Sequence, residues 1–298
     1  MKVYTNGCSF THGEDNFIEE PEFPGYPKIF EQTYKGYEYK TCVDDTVWPW
    51  LLKGNHNIDF VFNHALRATG HTRLHRSTLE FISHLREQNE DLDDWIFLLQ
   101  FSQPHRKEYM DPNKEDWWIQ LYPAGSPEEY AGDNWREAIT PFVRNRDLPG
   151  LEETEHLEWE HYRDTAKFQQ TLKPLFDYKF LYESNSVQEY DITKEMLNLV
   201  SALEMLGVKY LITSINEFLP RWYSFGQHNH HTPLTKQRKV MYDLIPKHNV
   251  IHDIAHILDP DFKDDQAMYS ESAHPLPEGN KIFANYIIKE MENRNWLT

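Results

Sequence analysis

Five short apolar runs, spaced so that helical patterns fit between some of them, constrain this chain more than any other feature. They are Val3 to Thr5, Ile58 to Phe62, Trp95 to Phe101, Val208 to Thr213 and Val250 to His252. Each is rich in β-branched or aromatic residues and flanked by turn or polar residues, the signature of a buried strand. Residues 72–88 set Leu74, Leu79, Ile82 and Leu85 near one helical face, with Thr72 read as the cap. Residues 192–206 carry Met196, Leu199, Val200, Leu203 and Leu206, and Gly207 follows where a helix would stop. Pro277 opens a last helix with Ile282, Phe283, Tyr286, Ile287 and Met291 as its apolar stripe. Strands alternating with helices specify an α/β fold with an open, mostly parallel sheet and helices on both faces.

In such sheets ligands bind beyond the carboxyl ends of the strands, and Ser9, Gly70, Ser102 and His274 all follow a strand in this reading. Ser9 lies in Gly7-Cys8-Ser9-Phe10, with Gly13 close behind. His274 lies in Glu271-Ser272-Ala273-His274-Pro275, directly before the last helix. A serine on a strand-to-helix turn, a histidine and a carboxylate to orient it form the nucleophile, base and orienter of ester chemistry. The same residues have structural uses. Serine is a preferred N-cap, His274 stands at a helix start, and Gly70 also suits a plain turn. Cys8 reads as a small buried residue.

Lys and Arg number 30 against 48 Asp and Glu, a formal net charge of −18. That field repels phosphate backbones and anionic lipid, so neither nucleic acid nor membrane is the expected partner. Only Cys8 and Cys42 are present, which makes no disulfide framework. The first residues read as strand and turn, and no run approaches the ~20 apolar residues of a spanning helix. The expectation is a soluble, cytoplasmic protein. His228-Asn229-His230-His231 lacks partners at ligand spacing and reads as a loop, so no metal and no cofactor is expected. His105-Arg106-Lys107 reads as a solvated loop, or as a cationic edge that greets an anionic substrate.

Residues 103–190 break the alternation. They hold Trp117, Trp118, Trp135 and Trp159, with Pro123, Pro127, Pro141 and Pro149, and a charged helical stretch is expected from about Leu151 to Leu172. This aromatic, acidic insertion reads as an elaborated surface subdomain, or as a lid whose rings stack on sugars or other flat ligands.

These motifs resemble the SGNH/GDSL hydrolase superfamily. Gly7-Cys8-Ser9-Phe10 loosely matches its first block, and Trp48-Pro49 followed by Leu51-Leu52 looks like the helix before its second strand. Asn63-His64-Ala65 leading to Gly70-His71-Thr72 is similar to the second block, which supplies an oxyanion glycine. Glu271 through Asn280 resembles the last block, with Glu271 replacing the usual aspartate three residues before His274. Gln100-Phe101-Ser102-Gln103 stands where the third block normally has an oxyanion asparagine, so Ser102 and Gln103 become candidate donors. The matching blocks lie in roughly residues 1–102 and 190–298.

The resemblance implies a three-layer α/β/α sandwich of about five parallel strands in flavodoxin-like order. It implies a single domain over 1–298 into which 103–190 is inserted, and a phage-type member, then residing in the host cytoplasm. By the same resemblance Ser9, Glu271 and His274 are catalytic, and Gly70, Ser102 and Gln103 serve the oxyanion or substrate. The expected function is a serine esterase or deacylase acting on a small-molecule or glycan ester such as an O-acetyl group. An acyltransferase with the same triad and a non-catalytic binding protein that keeps the fold are the alternatives. The oligomeric state has no readable signal.

Overall fold

A computed structural model describes residues 1–8, 11, 19–20, 23–27, 29–42, 46–66, 70–102, 107–110, 117–123, 139–145, 185–214, 233–251, 254–258 and 275–297. The strands are β1 (Lys2–Asn6), β2 (Glu19–Glu20), β3 (Phe23–Pro27), β4 (Ile29–Tyr34), β5 (Tyr37–Cys42), β6 (Phe60–Asn63), β7 (Trp95–Phe101), β8 (Lys107–Met110), β9 (Trp117–Pro123), β10 (Ile139–Asn145) and β11 (Lys209–Ser214). The helices are α1 (Trp48–Leu51), α2 (His71–Glu87), α3 (Asn185–Leu206), α4 (Pro233–Asp243), α5 (Ile254–Leu258) and α6 (Pro277–Asn293).

Four strands form the central sheet in the order β11-β7-β1-β6, all parallel. A single parallel bridge from Ile212 to Val250 extends it at the β11 edge, where Ile251 N–H donates to the Ile212 carbonyl at 2.9 Å. Taken in chain order, these five positions run 2-1-3-4-5, the flavodoxin-like order. The expected strand at Val250 to His252 is thus reduced to a bridge, with His252 outside the described residues.

Side chains alternate across each strand and feed two cores. On one face Tyr4, Phe62, Phe97, Leu99, Tyr210 and Ile212 meet Leu74, Phe81 and Leu85 of α2 and Met196, Leu199 and Leu203 of α3. On the other, Val3, Val61, Ile96, Leu98 and Leu211 meet Trp48 of α1, Ile254 of α5 and Phe283, Ile287 and Met291 of α6. The result is three layers, α/β/α.

Local signals set several boundaries. Gly207 at φ 68° ends α3, with its N–H on Glu204 O and Val208 N–H on Leu203 O, the paired bonds of a glycine helix stop. Pro277 sits in the first turn of α6. Thr72 does not cap α2. The helix begins at His71 and its N-cap is Gly70 in extended conformation, two residues earlier than apolar spacing alone suggests.

Two features had no counterpart in the sequence reading. Strands β2–β3 and β4–β5 make antiparallel hairpins, and β8–β9–β10 make a separate antiparallel sheet within 103–190. The expected helix from Leu151 to Leu172 lies outside the described residues. Among the described residues no helix is long and apolar enough to cross a membrane.

Candidate active site

Parallel pairing brings the carboxyl ends of β1, β6 and β7 into one row, with Thr5 opposite Asn63 and Asn6 opposite Leu99. Just beyond that row come the chain segments that bracket Ser9, lead to Gly70 and carry Ser102. Gly70 is buried at the N-terminus of α2, where the helix dipole favours developing negative charge. Ser102 is buried one residue past β7. Ser9, Glu271, His274 and Gln103 lie outside the described residues, as do His228 to His231, His105 and Arg106.

What the described residues add is a buried polar framework around those segments. On the α2 side, Asn6 Nδ2 donates to Tyr4 Oη at 2.8 Å, Ser77 Oγ at 2.9 Å and Thr78 Oγ1 at 3.1 Å. Asn6 Oδ1 accepts from Gly7 N–H at 2.9 Å and from Arg73 Nη1 at 3.3 Å. Arg73, fully buried, also donates to His64 O at 3.1 Å and Tyr39 Oη at 3.3 Å, and Tyr39 Oη donates to Ala65 O at 3.0 Å. One guanidinium therefore ties the turn after β1 to the segment after β6. Leu66 N–H completes the link by donating to Gly7 O at 3.2 Å.

Tyr4 makes this arrangement affordable. Its ring stacks on Phe81 with centroids 4.7 Å apart, while its hydroxyl reaches His64 Nδ1 at 3.0 Å. Burial drives its pKa well above the ordinary phenol value, so it stays a neutral donor and acceptor.

On the α6 side, Asn63 is the bracket. Its Oδ1 accepts from Thr5 Oγ1 at 3.0 Å and Ala65 N–H at 3.1 Å, and its Nδ2 donates to Thr11 O at 3.0 Å. Gln32 pairs with Asn63 N–H and O at 2.9 and 2.8 Å. Near the last motif, Asn280 Nδ2 donates to Pro275 O at 2.8 Å and its Oδ1 accepts from Trp48 N–H at 3.1 Å. That contact anchors the residue following His274 to α1 and α6.

Of the sequence candidates, then, Gly70 and Ser102 stand buried at the carboxyl edge, and Cys8 is fully buried as expected. Sequence reasoning missed Asn6, Arg73, Tyr39 and Thr11, and used Asn63 and His64 only as pattern. A signal for Arg73 existed, since Arg73 and Ser77 are four apart on the face that also carries Leu74 and Phe81. Among the described residues no group of three His, Cys, Asp or Glu could hold a metal ion.

No protein-family model matches the chain, and no curated protein matches it. Among solved structures it is similar to the psychrotrophic esterase EstA from Pseudoalteromonas sp., in a crystal structure inhibited by monoethylphosphonate. The identity is 8% and the TM-score 0.41, over 98% of this chain and 97% of that one. The fold assignment rests on the strand order and layering of the chain itself: this is an α/β protein with a parallel sheet between two helical layers.

Proposed function

We propose that the chain is a serine hydrolase acting on ester bonds, with Ser9 as nucleophile, His274 as general base and Glu271 as its orienter. Ser9 Oγ attacks the acyl carbonyl while His274 takes its proton and passes it to the leaving alcohol. Glu271 accepts from the imidazole and stabilises the imidazolium. Water, activated by the same histidine, then releases the acid and restores Ser9. Backbone N–H groups of Ser9 and Gly70, with the Ser102 hydroxyl and the Gln103 amide, receive the developing oxyanion. The substrate class is a small or glycan ester such as O-acetyl.

One observation carries the reading. The residues flanking Ser9, together with Gly70 and Ser102, come from three adjacent strand ends of one parallel sheet, braced by Asn6, Arg73 and Asn63. A preorganised edge of this kind is what acyl transfer requires. The test is covalent. A fluorophosphonate should label the wild type at Ser9 and fail to label Ser9→Ala of unchanged circular dichroism. A folded wild type that stays unlabelled, or a labelled Ser9→Ala, would sink the assignment.

A further inference from the structure

Gln100 lies at the end of the central strand β7, only 1% exposed, in a position where the flanking strand residues are apolar. Its alternation places it with Ile96 and Leu98 on the α6 face. A glutamine in the middle of a parallel sheet needs a reason.

Its side chain meets the segments on both sides of Ser9. Oε1 accepts from Thr11 Oγ1 at 2.5 Å, and Cys8 Sγ lies 3.7 Å from the same oxygen. Gly7 is in contact as well. A Cβ built at Gly7 would stand 2.9 Å from Gln100 Cβ, 2.9 Å from Oε1 and 2.5 Å from Thr11 Oγ1. Glycine is thus required at position 7 by close approach. Thr11 is held at two further points, its N–H on Cys8 O at 3.0 Å and its carbonyl under Asn63 Nδ2 at 3.0 Å. Gln100 Nε2 has no acceptor among the described residues, so the oxygen is the part of the amide that the surroundings use.

We infer that Gln100 is a positioning residue: with Thr11 it forms a clamp that seats the chain on either side of Ser9. The inference rests on Ser9 being the nucleophile, and it assigns to the third strand a task distinct from that of Ser102 and Gln103. The clamp gives Thr11 a three-point attachment two residues beyond Ser9, so that Cys8 and Thr11, the described residues on its two sides, are both held.

Two readouts test it, and the first is independent of the esterase reading. In Gln100→Leu, which keeps the volume and removes the oxygen, hydrogen exchange at the Thr11 amide should quicken by about 10-fold or more, with amides of α6 unchanged. Thr11→Val should do the same, Thr11→Ser should restore wild-type exchange, and the double variant should be no worse than either single one. Ser9 labelling by fluorophosphonate should slow by about 10- to 100-fold in its limiting rate in Gln100→Leu, with the half-saturating fluorophosphonate concentration within about twofold. Thr11 exchange within about twofold of wild type in Gln100→Leu, or additive effects in the double variant, would overturn the clamp. Failure of the wild type to label overturns the nucleophile assignment instead, and the exchange measurement still decides the clamp.

Discussion

The two ends of the central sheet use polar residues in opposite ways. At the amino end Glu90 collects charges: Lys2 Nζ at 2.6 Å, Lys35 Nζ, and the Tyr34 hydroxyl at 2.7 Å. Lys2 also lies 5.6 Å from the Trp95 ring centre. Lys35 is about half exposed and Lys2 partly so, and water and salt share their field, while the Glu90 side chain is itself 7% exposed. At the carboxyl end Asn6, Asn63, Arg73, His64 and Gln100 are buried, and their partners are mostly neutral amides, hydroxyls and carbonyls. A rim ion pair tolerates small movements because solvent compensates for lost contact. A buried amide has no such reserve, so each bond fixes a distance. The lesson is that one end of the sheet is closed by charge and the other is built for position, and the candidate catalytic segments leave from the second.

The largest effect should come from cutting the carboxyl-end framework at its centre. Arg73→Leu leaves Asn6 Oδ1, His64 O and Tyr39 Oη each short of a buried donor. A loss of about 3 kcal/mol or more is expected in urea unfolding, with little dependence on salt. A loss below about 1 kcal/mol would mean that this end is not the more exacting one.

Gly7→Ala ranks next. The new methyl falls inside contact distance of Thr11 and Gln100, and overpacking of this kind costs about 1–3 kcal/mol. Because the strain enters at Gly7 and Thr11, on the two sides of Ser9, Ser9 labelling should fall further than the stability loss alone explains. Equal stability and labelling in wild type and variant would show that the turn has slack.

Glu90→Gln should be the mildest, at about 1–2 kcal/mol and shrinking as salt rises. Lys2 and Lys35 hold the Glu90 carboxyl down to about 2, below its ordinary 4.5. A depressed carboxyl stabilises the fold above its unfolded value and loses that contribution as pH falls from about 4.5 towards 2. The wild type should therefore lose more stability than Glu90→Gln across that acid window, and the two should run parallel near neutrality. Lys2, where burial alone would lower the pKa, is instead raised by Glu90 and Tyr34, so it stays charged throughout the window.

Much of the architecture was readable residue by residue. The run Trp95 to Phe101 is β7 without adjustment, Pro277 begins α6, and Gly207 stops α3. Each of these depends on features within a few residues: a short, nearly continuous apolar run, a missing N–H, a positive φ. The hairpins between Glu19 and Cys42 escaped because Ile29–Tyr34 lacks a clean period, although Tyr37-Glu38-Tyr39-Lys40 alternates and Lys35-Gly36, both at positive φ, makes the turn before it. The N-cap of α2 was placed at Thr72 because threonine is a good local cap, whereas the helix starts after Gly70, which is extended and offers no capping side chain.

The candidate site divides along the same line. Ser102 was legible as a strand-end residue, since it directly follows β7, whereas Gly70 was legible as a residue between β6 and α2 and stands at the helix start. Sequence by itself settled the alternation of strands and helices, and with it the edge at which a site is expected, because periodicity and turn chemistry act locally. Only the tertiary structure decided which polar residues hold that edge in place. Gln100 and Thr11 are 89 residues apart, Asn6 and Arg73 67 apart, and Asn63 and Thr11 52 apart. A buried amide takes its meaning from the partner it meets in space, and no local pattern names a partner that far along the chain.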